Sequence, residues 1–296
     1  MSRDGDSHAL SSVHVHIDTK YVNIGNPTNC RIRIPRIDHK YQFIIQDVTL
    51  DFTFYNIREG RNSLIINEYV TTDTNTPTNS VVLTLKEGNY SISDIVAAIN
   101  DALAQKEATP TTPYEGPNYT LSKKFKYGGT GNHSISYNNI NGLISFSVNQ
   151  NTNMLEILPN SNQETTLLSI LGFSAPIKFS TPVSGDKLAD VYPHPYVFVL
   201  SDALTKYGSR SYALFQYANN FQQFDNVICC IPLANNSFGD RIYFNDNRTF
   251  QYDPEQENAE IDLQVVHQNG EIVNLHGGSL KLTLSFVGTN NPVINI

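Results

Sequence analysis

His14 and His16 stand two residues apart in the alternating segment Val13-His14-Val15-His16-Ile17-Asp18. On a strand that spacing puts both imidazoles, and the Asp18 carboxylate after them, on one face. Two histidines and a carboxylate so placed could chelate zinc or copper. The plainer reading is a polar outer face, because no second ligand cluster of the C-x-x-C or H-E-x-x-H kind occurs in the chain. The expectation is therefore no metal. Gly128-Gly129-Thr130-Gly131-Asn132-His133 has the glycine content of a phosphate loop but lacks the G-K-[ST] ending. No buried strand feeding a long helix frames it, so a flexible loop is expected there. No G-x-S-x-G elbow is present, and no cysteine has a histidine in a recognisable catalytic context. The scattered carboxylates cannot be paired into an acid/base dyad from sequence, since their separations are set by the fold. The expectation is a chain that is not an enzyme, with no catalytic, cofactor-binding or metal residues.

The three cysteines, Cys30, Cys229 and Cys230, do not form a disulfide framework. Cys229 and Cys230 sit in the apolar run VICCIPL, where adjacent residues of a strand face opposite sides, and they read as buried small hydrophobes. Net charge is −8 with a pI near 5.4. A chain that wraps nucleic acid needs a basic stripe to neutralise phosphates. Only Lys123, Lys124 and Lys126 cluster, and they read as a solvated loop, so no direct nucleic-acid contact is expected. The acidic stretch Asp253 to Glu260 is expected to be exposed, or a rim against a basic neighbour.

Hydrophobic residues make up 40% of the chain and charged residues only 16%, with Asn, Thr, Ser, Gln and Tyr filling the difference. Low charge suits a surface covered by other protein, where each Lys or Glu would have to be desolvated. Sixteen tyrosines and fifteen phenylalanines, with no tryptophan, carry the aromatic packing. Tyrosine suits half-wet subunit interfaces, because its ring packs while its hydroxyl stays bonded. The polar start MSRDGDSHALSS has no apolar h-region, and no apolar run is long enough to span a bilayer. A chain made in a reducing compartment is expected, and the Asn-x-Ser/Thr sequons, such as those at Asn89 and Asn118, read as chance in so Asn-rich a sequence.

The elements that must position these residues are mostly strands. CRIRIPRI alternates Ile32 and Ile34 with Arg31 and Arg33, and YQFIIQDVTLDFTFYNI keeps Val48, Leu50, Phe52 and Phe54 in step. MLEILP, YVFVL, SYALFQY, NVICCIPL, RIYF, IDLQVVH and SLKLTLSFV follow. Asn141-Gly142 and Asn269-Gly270 mark hairpins. NYSISDIVAAINDALAQ breaks the pattern, with Ile92, Ile95, Val96, Ile99 and Leu103 at helical spacing. Ser93 is the expected N-cap, and a second short helix covers LLSILGF, ending at Gly172. Residues 104–134 and 174–195, rich in Pro, Thr and Gly, read as a loop and a linker. Two short helices among many strands are connectors on an all-β frame.

The order of these segments is familiar: DVTLDFTFYNI, the helix EGNYSISDIVAAINDAL, the hairpin SISYNNINGLISFSV, LLSILGF, then NVICCIPL, FGDRIYF, IDLQVVHQNGEIVNLHGG and SLKLTLSF. The series resembles the minor capsid (penton) proteins of virophages and Polinton-like double-stranded DNA viruses. Residues 104–134 are longer and more polar than that pattern. The resemblance implies an all-β fold, a single jelly-roll β-sandwich from residues 1–57 and 186–296 with a smaller inserted outer domain at 58–185. It implies a homopentamer closing the five-fold vertices of an icosahedral capsid, beside capsomers of a double-jelly-roll major capsid protein. The protein would then reside in the virion, assembled in the infected host cell. The alternative is a host-attachment β-sandwich that binds a receptor or glycan, for which loops such as PYEGPNY offer Tyr and Asn. A third possibility is a β-sandwich hydrolase acting on polysaccharide.

Overall fold

The computed structural model describes residues 12–22, 24–34, 41–70, 73, 75–129, 132–148, 153–160, 166–192, 195–206, 213–217, 220–233, 237–245, 249–252 and 260–288. Its Cα packing divides the chain into one unit of residues 1–54 and 194–296 and a second of residues 55–193. The first unit begins with β1 (Ser12–Asp18), β2 (Gly25–Asn26), β3 (Asn29–Arg33) and β4 (Tyr41–Asp51). The second contains β5 (Ser63–Val70), β6 (Asn79–Leu85), α1 (Ile92–Ala104), β7 (Tyr114–Glu115) and β8 (Tyr119–Leu121). It continues through β9 (His133–Asn138), β10 (Leu143–Val148), β11 (Asn153–Pro159), α2 (Leu167–Ile170), β12 (Ile177–Phe179) and β13 (Val183–Ser184). The chain returns to the first unit with β14 (Tyr196–Leu200), α3 (Asp202–Thr205), β15 (Ala213–Tyr217), β16 (Asn220–Phe224) and β17 (Val227–Pro232). It ends with β18 (Arg241–Phe244), β19 (Thr249–Tyr252), β20 (Glu260–His267) and β21 (Leu280–Gly288).

Two antiparallel sheets make the first unit. One reads β1-β21-β4-β18, with β19 also on β4, and the other reads β17-β14-β20-β3-β2. Set aside the two-residue β2 and the β15–β16 hairpin, and count β18 with β19 as one broken strand. Eight principal strands remain, ordered 1-8-3-6 in one sheet and 2-7-4-5 in the other. That order is a jelly roll, a sandwich of two Greek keys in which the first strand pairs with the last. The fold is all-β, as expected, and the second unit enters the chain between the third and fourth of these strands.

Alternation accounts for the sandwich core. On β21, Leu280, Leu282, Leu284 and Phe286 are buried. On β4 the buried row begins with Phe43 and Ile45, then shifts to Val48 and Leu50 and runs on through Phe52 and Phe54. The phase changes because Gln46 is an inserted residue: Thr283 pairs with Asp47, but Leu284 pairs with Ile45. Such a bulge keeps the apolar row on one face of a bending strand. The second sheet contributes Cys30, Val197, Val199, Cys229, Ile231, Leu263 and Val265, all buried. Its other face carries a separate cluster of Phe198, Leu200, Phe224, Val227 and Val266, with Cys230 at the margin. Cys229 and Cys230 therefore face opposite sides, as the alternation predicts.

The second unit holds a six-stranded sheet, β12-β11-β5-β6-β8-β7, and a three-stranded sheet, β13-β10-β9. Helix α1 buries Ile95, Ala98, Ile99, Ala102 and Leu103 in the core these sheets share. Its N-cap is Ser91, not Ser93: Ser91 Oγ accepts from Asp94 N at 3.2 Å and Asp94 returns the bond to Ser91 N at 2.9 Å. The reciprocal box needs its carboxylate three positions after the cap, and only Ser91 stands three before Asp94. Helix α2 is closed by Gly172, whose φ of 86° and approach to the Lys187 carbonyl exclude a side chain. The stretches expected as loop and linker instead supply β7 and β8, and β12 and β13. Tyr119, Leu121 and Phe125 from the first of them are fully buried. These strands are two or three residues long, too short for alternation to show, and they are held by distant partners. Helix α3, capped by Ser201 Oγ on Leu204 N at 3.2 Å, was not expected either.

Candidate functional site

The His14, His16 and Asp18 row lies on β1, at one edge of its sheet, opposite Ser285, Thr283 and Lys281 of β21. His16 Nδ1 is 3.1 Å from Thr283 Oγ1. Asp18 accepts from Lys20 N at 3.0 Å and pairs with Lys281 Nζ at 3.3 Å. Its carboxylate is thus committed to the end of the strand and to the 3-10 turn at Thr19–Tyr21 that follows. Among the described residues no group of three or more His, Cys, Asp or Glu side chains could hold a metal.

The glycine-rich loop leads to a different structure from a phosphate cradle. At its far end His133, on β9, is buried, with Nε2 3.2 Å from Glu68 Oε1. Glu68, on β5, is buried as well, and also accepts from Tyr127 N at 2.9 Å, Lys126 N at 2.8 Å and Asn79 Nδ2 at 2.7 Å. Burial alone would raise its pKa, but these four donors outweigh it and hold the carboxyl below its ordinary value. The chemistry here is structural: one anion ties Lys126, Tyr127 and His133 to β5. Nothing in the sequence marks Glu68, a polar letter in the apolar run SLIINEYV.

The lysine cluster lies on the same segment. Lys124 Nζ is 5.3 Å from the Tyr114 ring centre and Lys126 Nζ 5.4 Å from that of Tyr127. Both cations lie within reach of an aromatic face and both residues are half-buried, where a solvated loop was expected from sequence. In the PYEGPNY loop Tyr119 turns inward, fully buried, and donates to Asp101 Oδ2 at 2.8 Å. Of the acidic stretch, Glu260 pairs with Arg33 at 3.2 Å, and residues 253–259 lie outside the described residues. Cys30 is buried, and burial, with Asp262 adding to it, pushes its thiol up to about 11.

A concave feature sits on one flank of the sandwich. A cleft of about 640 Å³ runs between β1 and β3, lined by His16, Asp18, Tyr21, Ile24, Arg31 and Arg33 among others. Tyr21 is 75% exposed and Ile24 54%. Its walls offer apolar contact together with the cations of Arg31 and Arg33 and the carboxylates of Asp18 and Glu260. On β18 Tyr243 is likewise 75% exposed, and Phe238, in the turn before it, 43%. Sequence reading passed over these four. The available signal was an aromatic in the outward phase, as Tyr243 is beside buried Ile242.

No family model matches the sequence, and no curated protein matches it. Among solved structures the chain is similar to the mavirus penton protein, with 12% identity over 95% of this chain and 100% of that one, at a TM-score of 0.49. It is also similar to a chain of the Sputnik virophage, with 12% identity over 93% of this chain and 97% of that one, at a TM-score of 0.39.

Proposed function

We propose that this chain is a structural virion protein, a penton subunit whose homopentamers close the five-fold vertices of an icosahedral capsid. The observation that carries the proposal is the jelly-roll strand order, closed from both chain ends, with a second unit inserted in its middle. Jelly rolls also serve as lectins and cupins, so the fold does not decide the role by itself. The sandwich interior suits a building block: its rows from Phe43 to Phe286 and from Val197 to Leu263 are buried apolar side chains. Tyr21, Phe238 and Tyr243 stand exposed outside that core. In this reading the first unit joins the capsid wall beside double-jelly-roll capsomers, and the inserted part, about residues 58–185, faces outward.

Native mass spectrometry of the purified chain tests the copy number: a pentamer supports the proposal. Labelled copies in intact particles must lie at the vertices, and labels elsewhere would overturn it. The rival is a host-attachment protein. It is favoured by one feature of the second unit, the apolar tip of the β9–β10 hairpin, where Ile140 is 93% exposed. A trimer that binds cell-surface glycans would decide for the rival.

A further inference from the structure

We propose that the second unit carries a binding site for an acidic polysaccharide, built from Lys106, Lys123, Lys124 and Lys126 beside Tyr114 and Tyr127. The site joins two stretches that stand apart in the sequence, SKKFKY and the PYEGPNY loop. Ser122 starts the basic stretch from β6: its N donates to Val82 O at 2.9 Å and its Oγ accepts from Val82 N at 2.9 Å. Phe125 then donates to Gln105 O at 3.0 Å and accepts from Glu107 N at 2.9 Å, so Lys106 lies alongside it. Phe125 is fully buried, with Lys124 before it and Lys126 after it. Lys124 Nζ stands over the Tyr114 ring and Lys126 Nζ over that of Tyr127. A cation held on a ring face gives up less side-chain freedom when an anion binds to it. All of these residues belong to one unit of one chain, so the site does not depend on the copy number.

Among the described residues none of these four lysines forms an ion pair, in a chain whose net charge is −8. The carboxylates nearby are engaged otherwise. Glu68 is buried under its donors, Asp101 accepts from Tyr119 Oη at 2.8 Å, and Glu115 pairs with Lys86 at 3.0 Å. Glu107, next to Lys106, has one carboxylate oxygen enclosed in the protein. Four ammonium groups with no carboxylate in contact fit an anionic partner. Its chemistry follows from what surrounds them. Thr111 and Thr112 are exposed just before Tyr114 and offer hydroxyls to a hydroxylated chain. A nucleic acid would need open ring faces for its bases, and here each ring has an ammonium over it. A membrane would need a large apolar side chain to enter it, and among the described residues none is exposed from 104 to 129. A glycan bearing sulfate or carboxylate groups uses the cations and the hydroxyls together.

The test measures binding of the full chain to dextran sulfate, a sulfated glycan, and to alginate, a carboxylated one, with neutral dextran as control. Binding to at least one acidic polymer and not to dextran is expected, with an affinity that falls as salt rises. Either polymer supports the site, and the tighter one names the acid group. Lys124→Gln with Lys126→Gln should weaken binding and lower the slope of log K against log salt by about one per lysine removed. Lys20→Gln with Lys187→Gln removes the same charge from exposed residues outside the site and should leave both quantities as in the wild type. Equal melting temperatures show that a contact, and not the fold, was lost. If the Lys124 and Lys126 variant melts early, Lys106→Gln, at an exposed residue, carries the same expectation. No binding to either acidic polymer overturns the site. Equal weakening by the two pairs traces the attraction to overall charge and overturns it as well. Single-stranded DNA or phosphatidylserine vesicles that bind more tightly than both glycans, through Lys124 and Lys126, would give the surface to another class of partner. A monomer that binds dextran sulfate keeps the site while it overturns the pentamer.

Discussion

A buried carboxylate is tolerable only when its lone pairs are occupied, and Glu68 meets that condition with donors from three separate segments, around Asn79, at Lys126–Tyr127 and at His133. His133 carries its proton on Nε2 for the contact to be attractive. Replacing Glu68 with Leu strips two buried donors, Asn79 and His133, of their acceptor at about 1–3 kcal/mol each and two part-buried ones as well, so a loss of at least about 3 kcal/mol in urea unfolding is expected. The pH dependence has a definite sign. Because the folded pKa lies below the ordinary 4.5, the carboxylate's contribution is full above that value and is lost as pH falls through the lowered one. Glu68→Gln should remove that part of the acid slope, read by urea titrations at successive pH values between neutrality and the acid limb. None of this was legible beforehand, because the donors lie 11, 58, 59 and 65 residues away and only the fold assembles them.

At the scale of elements, periodicity carries as far as an element is long. In β21 Leu280, Leu282, Leu284 and Phe286 follow the alternation, and Leu282 and Leu284 are buried as their phase requires. Leu282→Asp or Leu284→Asp places an unpaired charge in that core at a cost of several kcal/mol, about half or more of a typical domain's stability. Each should abolish the folded far-UV and near-UV circular dichroism and leave insoluble chain. Capping is legible too, yet only to within a turn. Two serines precede Asp94, and the choice of Ser91 depends on a side chain reaching back across three residues. Ser91→Ala should cost about 1 kcal/mol. The same change at Ser93, exposed within α1, should be nearly neutral in a thermal melt. Strands such as β7, β12 and β13 exist because a neighbouring edge offers bonds to them, which their own few residues do not announce.

For the whole molecule, what the sequence conveyed was that both chain ends are strand-rich and that a helix and hairpin interrupt them. Which strands neighbour which was beyond it, since that order depends on pairings between segments far apart. Native mass and vertex labelling are the measurements proper to this scale, with a pentamer expected. The pairing of the first strand with the last also sets an order of events during synthesis. β1 waits for β21, whose residues partner it across the full length of the chain, with Val15 opposite Leu284. β3 in the same way waits for β20. The second unit, by contrast, is one uninterrupted stretch of chain and can close while the remainder is still being made. Ribosome-bound chains arrested with residue 260 just emerged should therefore show a protease-resistant fragment spanning about residues 55–193 and a cleavable amino-terminal strand region. During that interval β1 lacks β21 and β3 lacks β20, which makes the nascent chain a client for whatever in the cell shields unpaired strands.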